Sequence, residues 1–184
     1  IPVGEPVVLE LESSDVIHSL WIPRLNGKVD LVPMHRNRLH LRADSAGRYL
    51  GECAEFCGHQ HANMRLEIVA EPRADFERWY RAQLGTPAQP TDSLRRVGQG
   101  VFLGKGCPVC HNIAGTPASA RSGPDLSHLA SRRMIAAGTL PNTRGNLAGW
   151  ILDPQGIKPG TKMPANQLLP SELEALLAYL ESLR

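Results

Sequence analysis

The sequence predicts two folds in one chain, a small antiparallel β-sandwich followed by an all-α domain. Three observations carry this. Through residues 1–70, short runs alternate apolar and polar side chains and are separated by turn residues, the pattern of half-buried strands. From residue 93 onward the apolar residues recur instead at helical spacing. Between them Gly85–Asp92 is polar and holds two prolines, which marks a linker. The expected organisation is therefore a first domain over 1–84, a linker over 85–92 and a second domain over 93–184.

Each element follows from its own pattern. Residues 1–20 read as a strand in which Val7, Leu9 and Leu11 alternate with Glu10 and Glu12, and this strand delivers His18 to a loop. Asn26-Gly27 signals a hairpin in the turn-rich stretch 26–33. Asn37 to Leu41 is a second alternating strand with Leu39 and Leu41 inward. Arg48 to Cys53 is another, entered after Gly47. Arg65 to Ala70 closes the set with Leu66, Ile68 and Val69. Ala74 to Leu84 reads as a short helix, with Phe76, Trp79, Tyr80 and Leu84 as packing residues. In the second domain Leu94, Val97, Val101 and Phe102 mark one amphipathic helix. Leu173, Leu176, Leu177 and Leu180 mark another, with Pro170 suited to its first turn. Ser131 to Ala137 is a helix-like run containing Met134.

Composition narrows the function. Residues 1–90 carry 10 Lys+Arg against 12 Asp+Glu, and residues 91–184 carry 10 against 6, so neither half has the charge of a nucleic-acid binder. No run of eighteen apolar residues exists to span a bilayer, and no signal peptide is visible. The chain opens inside a strand pattern, as an excised or processed piece would. The four cysteines fall in two local pairs, Cys53/Cys57 and Cys107/Cys110. Local pairs point to metal or cofactor attachment rather than to a disulfide framework.

The first pair lies in Cys53-Ala54-Glu55-Phe56-Cys57-Gly58-His59-Gln60-His61-Ala62-Asn63-Met64. Thiolate, imidazole and thioether together suit a soft, redox-active metal, with copper first. A single-copper electron-transfer site uses one Cys, so the second thiol implies two coppers bridged by two thiolates. Each copper then needs its own imidazole. The loop supplies His61, and His18 is the candidate for the other. A disulfide or half a zinc site would account for the thiols, but neither explains His61 and Met64 at these offsets. His59 reads as a solvated loop residue, and His35 and His40 as surface residues. Trp21 either packs beneath the loop or couples it to a partner.

The pattern C-x-E-x-C-x3-H-x2-M, preceded by Asp15-Val16-Ile17-His18-Ser19 and Lys28-Val29-Asp30, resembles the dinuclear copper A domain of cytochrome c oxidase subunit II over about residues 1–70. The resemblance implies a cupredoxin-like sandwich. It implies that Cys53 and Cys57 bridge the coppers, that His18 and His61 are terminal ligands, and that Met64 and the Glu55 carbonyl are weak axial ligands. The Glu55 side chain would hold a magnesium at the contact with subunit I. In the family two transmembrane helices, an aromatic-rich segment and a first strand precede the point where this chain begins, so the sandwich is expected to lack that strand.

The second pair forms Cys107-Pro108-Val109-Cys110-His111, the C-x-x-C-H signature of covalent haem attachment, with His111 as the proximal ligand. A redox or zinc C-x-x-C is the competing reading of so short a motif. With the flanking helices and the loop Lys158-Pro159-Gly160-Thr161-Lys162-Met163-Pro164, residues 93–184 resemble an all-α class I cytochrome c domain. In that family Gly98 and Phe102 pack on the terminal helix near Tyr179. The resemblance implies that the Pro124 carbonyl accepts a hydrogen bond from His111 and that Met163 is the distal ligand. Met134 is its rival, although a Met in a helical run usually fills a core gap.

Copper A joined to haem c resembles the fused subunit II of caa3-type cytochrome c oxidases. This implies electron transfer from a donor, such as a cytochrome c or a quinol-oxidising complex, through haem c to the dinuclear copper and on to haem a of subunit I. The expected place is the periplasmic or outer face of a bacterial membrane, with anchoring helices absent from this chain. The chain alone would make and break no substrate bonds, so it is an enzyme only as the electron-entry part of the oxidase. Asp125, Asp153 and Glu172 are scattered and read as caps or surface groups. The alternatives are a free periplasmic electron shuttle, or a thiol or copper metallochaperone fused to cytochrome c. Nitrous oxide reductase, which also holds copper A, needs a large His-rich propeller absent here.

Overall fold

The alternating runs fold as six strands: β1 (Val7–Leu11), β2 (His18–Trp21), β3 (Val29–Leu31), β4 (Asn37–Leu41), β5 (Gly47–Cys53) and β6 (Arg65–Ala70). The computed structural model describes residues 1–184 and divides them into two units. The first is Ile1–Arg81 with Ala137–Thr139, and the second is Ala82–Ala136 with Leu140–Arg184. In the first unit β1 pairs antiparallel with β4, and the other strands form a four-stranded antiparallel sheet in the order β3-β2-β5-β6. Leu11, Leu39 and Leu41 from the smaller sheet share one core with Ile22, Tyr49 and Ala70. The two sheets therefore face each other as an open cupredoxin-like sandwich. Ile22 is fully buried, which removes a side chain worth about 2 kcal/mol from water.

Period 2 also decides what does not enter this core. Leu66 and Ile68 are half-buried, whereas Val69, on the other face of β6, is 41% exposed. His18, expected on a loop, is instead the first residue of β2, and Leu31 lies opposite it on β3. Pairing fixes its direction more firmly than a loop would. Helix α1 (Arg73–Gln83) follows β6. Its aromatics were expected as packing residues, yet Trp79 and Tyr80 are half-exposed and Leu84 more so. The rings of Trp79 and Tyr80 pack on Phe76, with centroids 5.8 and 6.0 Å away.

The second unit contains α2 (Ser93–Gly104), the short strands β7 (Met134–Ile135) and β8 (Leu140–Pro141), and helices α3 (Arg144–Leu152), α4 (Pro154–Ile157) and α5 (Pro170–Leu180). Asp92 caps α2 by accepting from Arg95 N at 2.9 Å. α5 begins with Pro170 and buries Leu176, Leu177, Tyr179 and Leu180. Only Gly98 and Phe102 of α2 are buried, while Leu94 and Val97 are exposed, so its inner stripe is narrower than the apolar spacing implies. A Cβ at Gly98 would lie 1.9 Å from the Ala175 carbonyl oxygen, so glycine is what lets α2 touch α5. Phe102 meets Tyr179 at 6.2 Å.

The helix expected over Ser131 to Ala137 is not there. A 3-10 turn over Leu129–Ser131 gives way to extended Arg132, then β7, then left-handed backbone at Ala136 and Ala137. β7 pairs with β8, and Ile135 is buried, so strand pairing and burial override the helical propensity of the two alanines. No helix is long and apolar enough to cross a membrane.

Candidate functional site

The first site is built at the ends of β2 and β5. Leu20 lies opposite Cys53, and Ala54 N donates to Ser19 O at 2.8 Å, which places His18 beside the last residue of β5. A Cβ on Gly51 would come within 2.9 Å of Ile22 Cγ1 and 3.0 Å of Trp21 O, so glycine permits that approach. Cys53 N donates to Met64 O at 2.9 Å and closes the ligand loop at its base. Gly58, at φ 121°, and a 3-10 turn over His61–Asn63 shape the loop between.

Six donors converge there. The Cys53 and Cys57 sulfurs are 3.8 Å apart. His18 Nδ1 lies 3.8 Å from Cys53 Sγ, and His61 Nδ1 lies 3.7 Å from Cys57 Sγ. Met64 Sδ is 3.9 Å from Cys57 Sγ, and the Glu55 carbonyl oxygen is 3.2 Å from Cys53 Sγ. At zinc-like bond lengths, tetrahedral geometry holds two sulfurs about 3.8 Å apart and a sulfur and a nitrogen about 3.6 Å apart. The side chains thus already stand at separations that a shared metal requires. All four cysteines are free thiols.

The electrostatics favour one thiolate, at Cys53, beside a protonated Cys57. Burial pushes the Cys53 thiol up. Backbone hydrogen bonds at Ser19 and Glu55 and the imidazoles of His18 and His61 outweigh it and bring the thiol down to about 7. Burial and the neighbouring Cys53 push Cys57 up. Asp15 accepts a 2.9 Å contact from His18 Nε2, and that bond, with backbone bonding at Val16, holds its carboxyl at about 2. Burial lowers the His18 imidazole, but Asp15 and Cys53 together leave it above its ordinary value. Carboxylate, histidine and sulfur in line form an outer-shell arrangement that orients a metal-binding imidazole. The i, i+3 offset of Asp15 from His18 is the sequence signal for this role.

The remaining residues fall into place around the loop. His59, His35 and His40 are exposed. The Glu55 side chain is exposed too. Trp21 lines an open depression of about 700 Å³ together with Cys53 and His61, and is 37% exposed. Phe56, passed over in the sequence, is 75% exposed, with its ring edge-on to His61 at 5.7 Å.

The second site follows α2. Gly106, left-handed at φ 82°, opens a 3-10 turn over Cys107–Val109. His111 N donates to Cys107 O at 3.0 Å, so His111 is held on the turn that carries both thiols. His111 Nδ1 is 2.8 Å from the Pro124 carbonyl, which leaves Nε2 for a ligand. A Cβ on Gly123 would lie 2.8 Å from His111 Cε1, so that glycine makes room for the ring. Burial raises the Cys107 thiol. Cys107 and Met163 both pack against the helical core, whereas Met134 sits in β7 opposite Pro141. The donor set therefore fits a covalently held haem. Asp153 accepts from Gly156 N and Glu172 from Leu169 N, both at 2.9 Å, as caps do.

Residues 1–71 match the family described as cytochrome c oxidase subunit II, periplasmic domain, and residues 96–184 match cytochrome c. The chain carries a subunit II periplasmic domain followed by a cytochrome c domain. It is 42% identical over its whole length to cytochrome c oxidase subunit 2 of Alkalihalophilus pseudofirmus, covering 53% of that protein. It is 32% identical to that of Bacillus subtilis, covering 54%. The chain thus spans about half the length of these relatives. The crystal structure of the periplasmic domain of subunit II of cytochrome oxidase from Bradyrhizobium japonicum is 29% identical. It covers 45% of this chain and 59% of its own, with a TM-score of 0.44. The copper A expected in the first domain and the haem c expected in the second are what these families imply.

Proposed function

We propose that the chain is the electron-entry portion of a caa3-type cytochrome c oxidase. It accepts electrons in the haem c domain, passes them to a dinuclear copper centre and delivers them to haem a of subunit I. The observation that carries this reading is the run of 3.2–3.9 Å contacts joining Glu55 O, Cys53, His18, Cys57, His61 and Met64. Six donors exceed what one tetrahedral ion takes, and two thiolates can bridge.

Cys53 and Cys57 would bridge, His18 and His61 would terminate the pair, and the Glu55 carbonyl and Met64 would be weak axial ligands. The bound pair supplies one-electron exchange with little rearrangement. The protein's part is rigidity. β2 and β5 fix the ligands at strand ends, Asp15 orients His18, and hydrogen bonds stabilise the Cys53 thiolate. The exposed Glu55 carboxylate would hold a magnesium at the subunit I contact. Exposed Phe56, Val16 and Ile17 beside the ligands give that contact an apolar rim. Cys107 and Cys110 would carry the haem as thioethers, with His111 and Met163 axial. A His/Met pair raises the potential and leaves no open position, which suits electron transfer. Oxygen reduction and proton translocation would belong to subunit I. The chain would act on the periplasmic or outer face of a bacterial membrane, anchored by helices outside these residues. The donor would be a cytochrome c or a quinol-oxidising complex.

Metal analysis with electron paramagnetic resonance of the oxidised, copper-loaded chain tests this. Two coppers and one haem per chain, with the unpaired electron shared over two equivalent nuclei, are expected. One copper with a single-nucleus pattern would end the bridging assignment. A Cys53–Cys57 disulfide without copper would favour a thiol module instead.

A further inference from the structure

The loop that carries Met163 is splinted from outside. Gln155 lies in the single-turn helix α4, which is fixed by the buried Pro154 and by Asp153 accepting from Gly156 N. Its Nε2 donates to Thr161 O at 2.7 Å and to Met163 O at 2.9 Å, while its Oε1 accepts from Gly160 N at 3.0 Å. One amide thus uses donor and acceptor on a single turn, and one of its bonds reaches the peptide of Met163 itself. Gly160 is left-handed at φ 83°, a reversal that glycine takes without strain. The loop's two ends are tied separately. Buried Lys158 donates from Nζ to Ala136 O at 3.0 Å. Asn166 Nδ2 donates to Ile151 O at 3.0 Å and to Pro164 O at 3.1 Å.

We propose that Gln155 is a positioning residue for Met163, its side-chain amide holding the Gly160–Met163 turn so that the thioether stays on the haem iron. The inference rests on the reading of Met163 as the axial ligand. A thioether is a neutral, weak donor, so its hold on ferric iron depends on how little freedom the loop has to swing it away. Ordering the turn in advance raises the local concentration of the sulfur over any competing ligand. Three partly exposed hydrogen bonds at the low end of their usual strength amount to about a tenfold factor.

The test is imidazole titration of the full, haem-loaded ferric chain, followed by the far-red sulfur-to-iron charge-transfer band. Gln155→Leu should bind imidazole about tenfold more tightly than the parent. Gln155→Glu keeps the acceptor for Gly160 but loses both donated bonds at neutral pH, and should show most of that change. Gln155 is surface-exposed, so both variants should retain haem and fold. If both variants bind imidazole as the parent does, the splint is refuted. Met163→Ala separates the two ideas. If it keeps the parent's band and imidazole affinity, the axial assignment fails. If it loses the band while the Gln155 variants match the parent, only the splint fails.

Discussion

Asp15 holds the His18 ring from the side away from Cys53. Its carboxylate, 2.9 Å from Nε2, directs Nδ1 toward Cys53 and keeps the ring in one orientation. Losing such an outer-shell partner typically weakens metal binding by 10- to 100-fold. Asp15→Asn should therefore lower copper affinity by about tenfold in a chelator competition, since the amide keeps the size but not the charge. An unchanged affinity would show that pairing in β2 alone orients the imidazole. The thiols give a second residue-scale expectation. In the metal-free, reduced chain Cys53 titrates at about 7 and Cys57 above its ordinary range. Alkylation at neutral pH should mark Cys53 first, and its rate should fall with the thiolate fraction as pH drops below about 7. Mass spectrometry of partly alkylated protein reads the order, and modification of Cys57 first would contradict it. The same deprotonation makes copper loading weaker in acid.

At the scale of elements, two glycines decide which segments touch. Gly51 admits Trp21 and Ile22, at and just past the end of β2, to β5 just before Cys53, and Gly98 admits Ala175 of α5 to α2. At Gly98 the obstruction is backbone, which cannot rotate away. Gly98→Ala should destabilise the helical unit by about 3 kcal/mol, the upper range for overpacking, in denaturant unfolding of the haem-loaded chain. A loss below about 0.5 kcal/mol would mean that the helices separate at little cost. Element types were mostly readable from period, because β1, β4, β5 and β6 alternate and α2 and α5 do not. One reading failed for a tertiary reason, and a second held only in part. Residues 131–137 spell a helix locally, but β8 and the buried Ile135 draw Met134–Ile135 into a strand. The α1 aromatics have helical spacing, yet spacing says nothing about whether a surface exists to cover them, and in this chain they cover one another.

The whole molecule holds two separate cores, one around Leu39, Tyr49 and Ile22, the other around Phe102, Leu176 and Tyr179. The proposed copper and haem ligands belong to different units, so each cofactor should stabilise its own. Copper at a hundredfold excess over its dissociation constant adds about 2.7 kcal/mol to the unit that binds it. Calorimetry of the full chain should show the β-unit transition rising with copper while the haem-monitored transition stays in place. A joint shift of both would mean that the units unfold as one.

By itself the sequence pointed to a ligand chemistry and determined the order of the parts. Thiols, imidazoles and thioethers at short offsets declare a soft-metal loop, C-x-x-C-H declares haem attachment, and a change of hydrophobic period separates sheet from helix. These are local properties, and local spacing survives translation into a chain. Only the tertiary structure decided what distant residues do to one another. His18 and Cys53, thirty-five positions apart, meet because β2 pairs with β5. Gly123 and Pro124 frame His111, and Gln155 clasps the turn before Met163. Those contacts depend on register, close packing and backbone direction, which no single stretch of sequence displays.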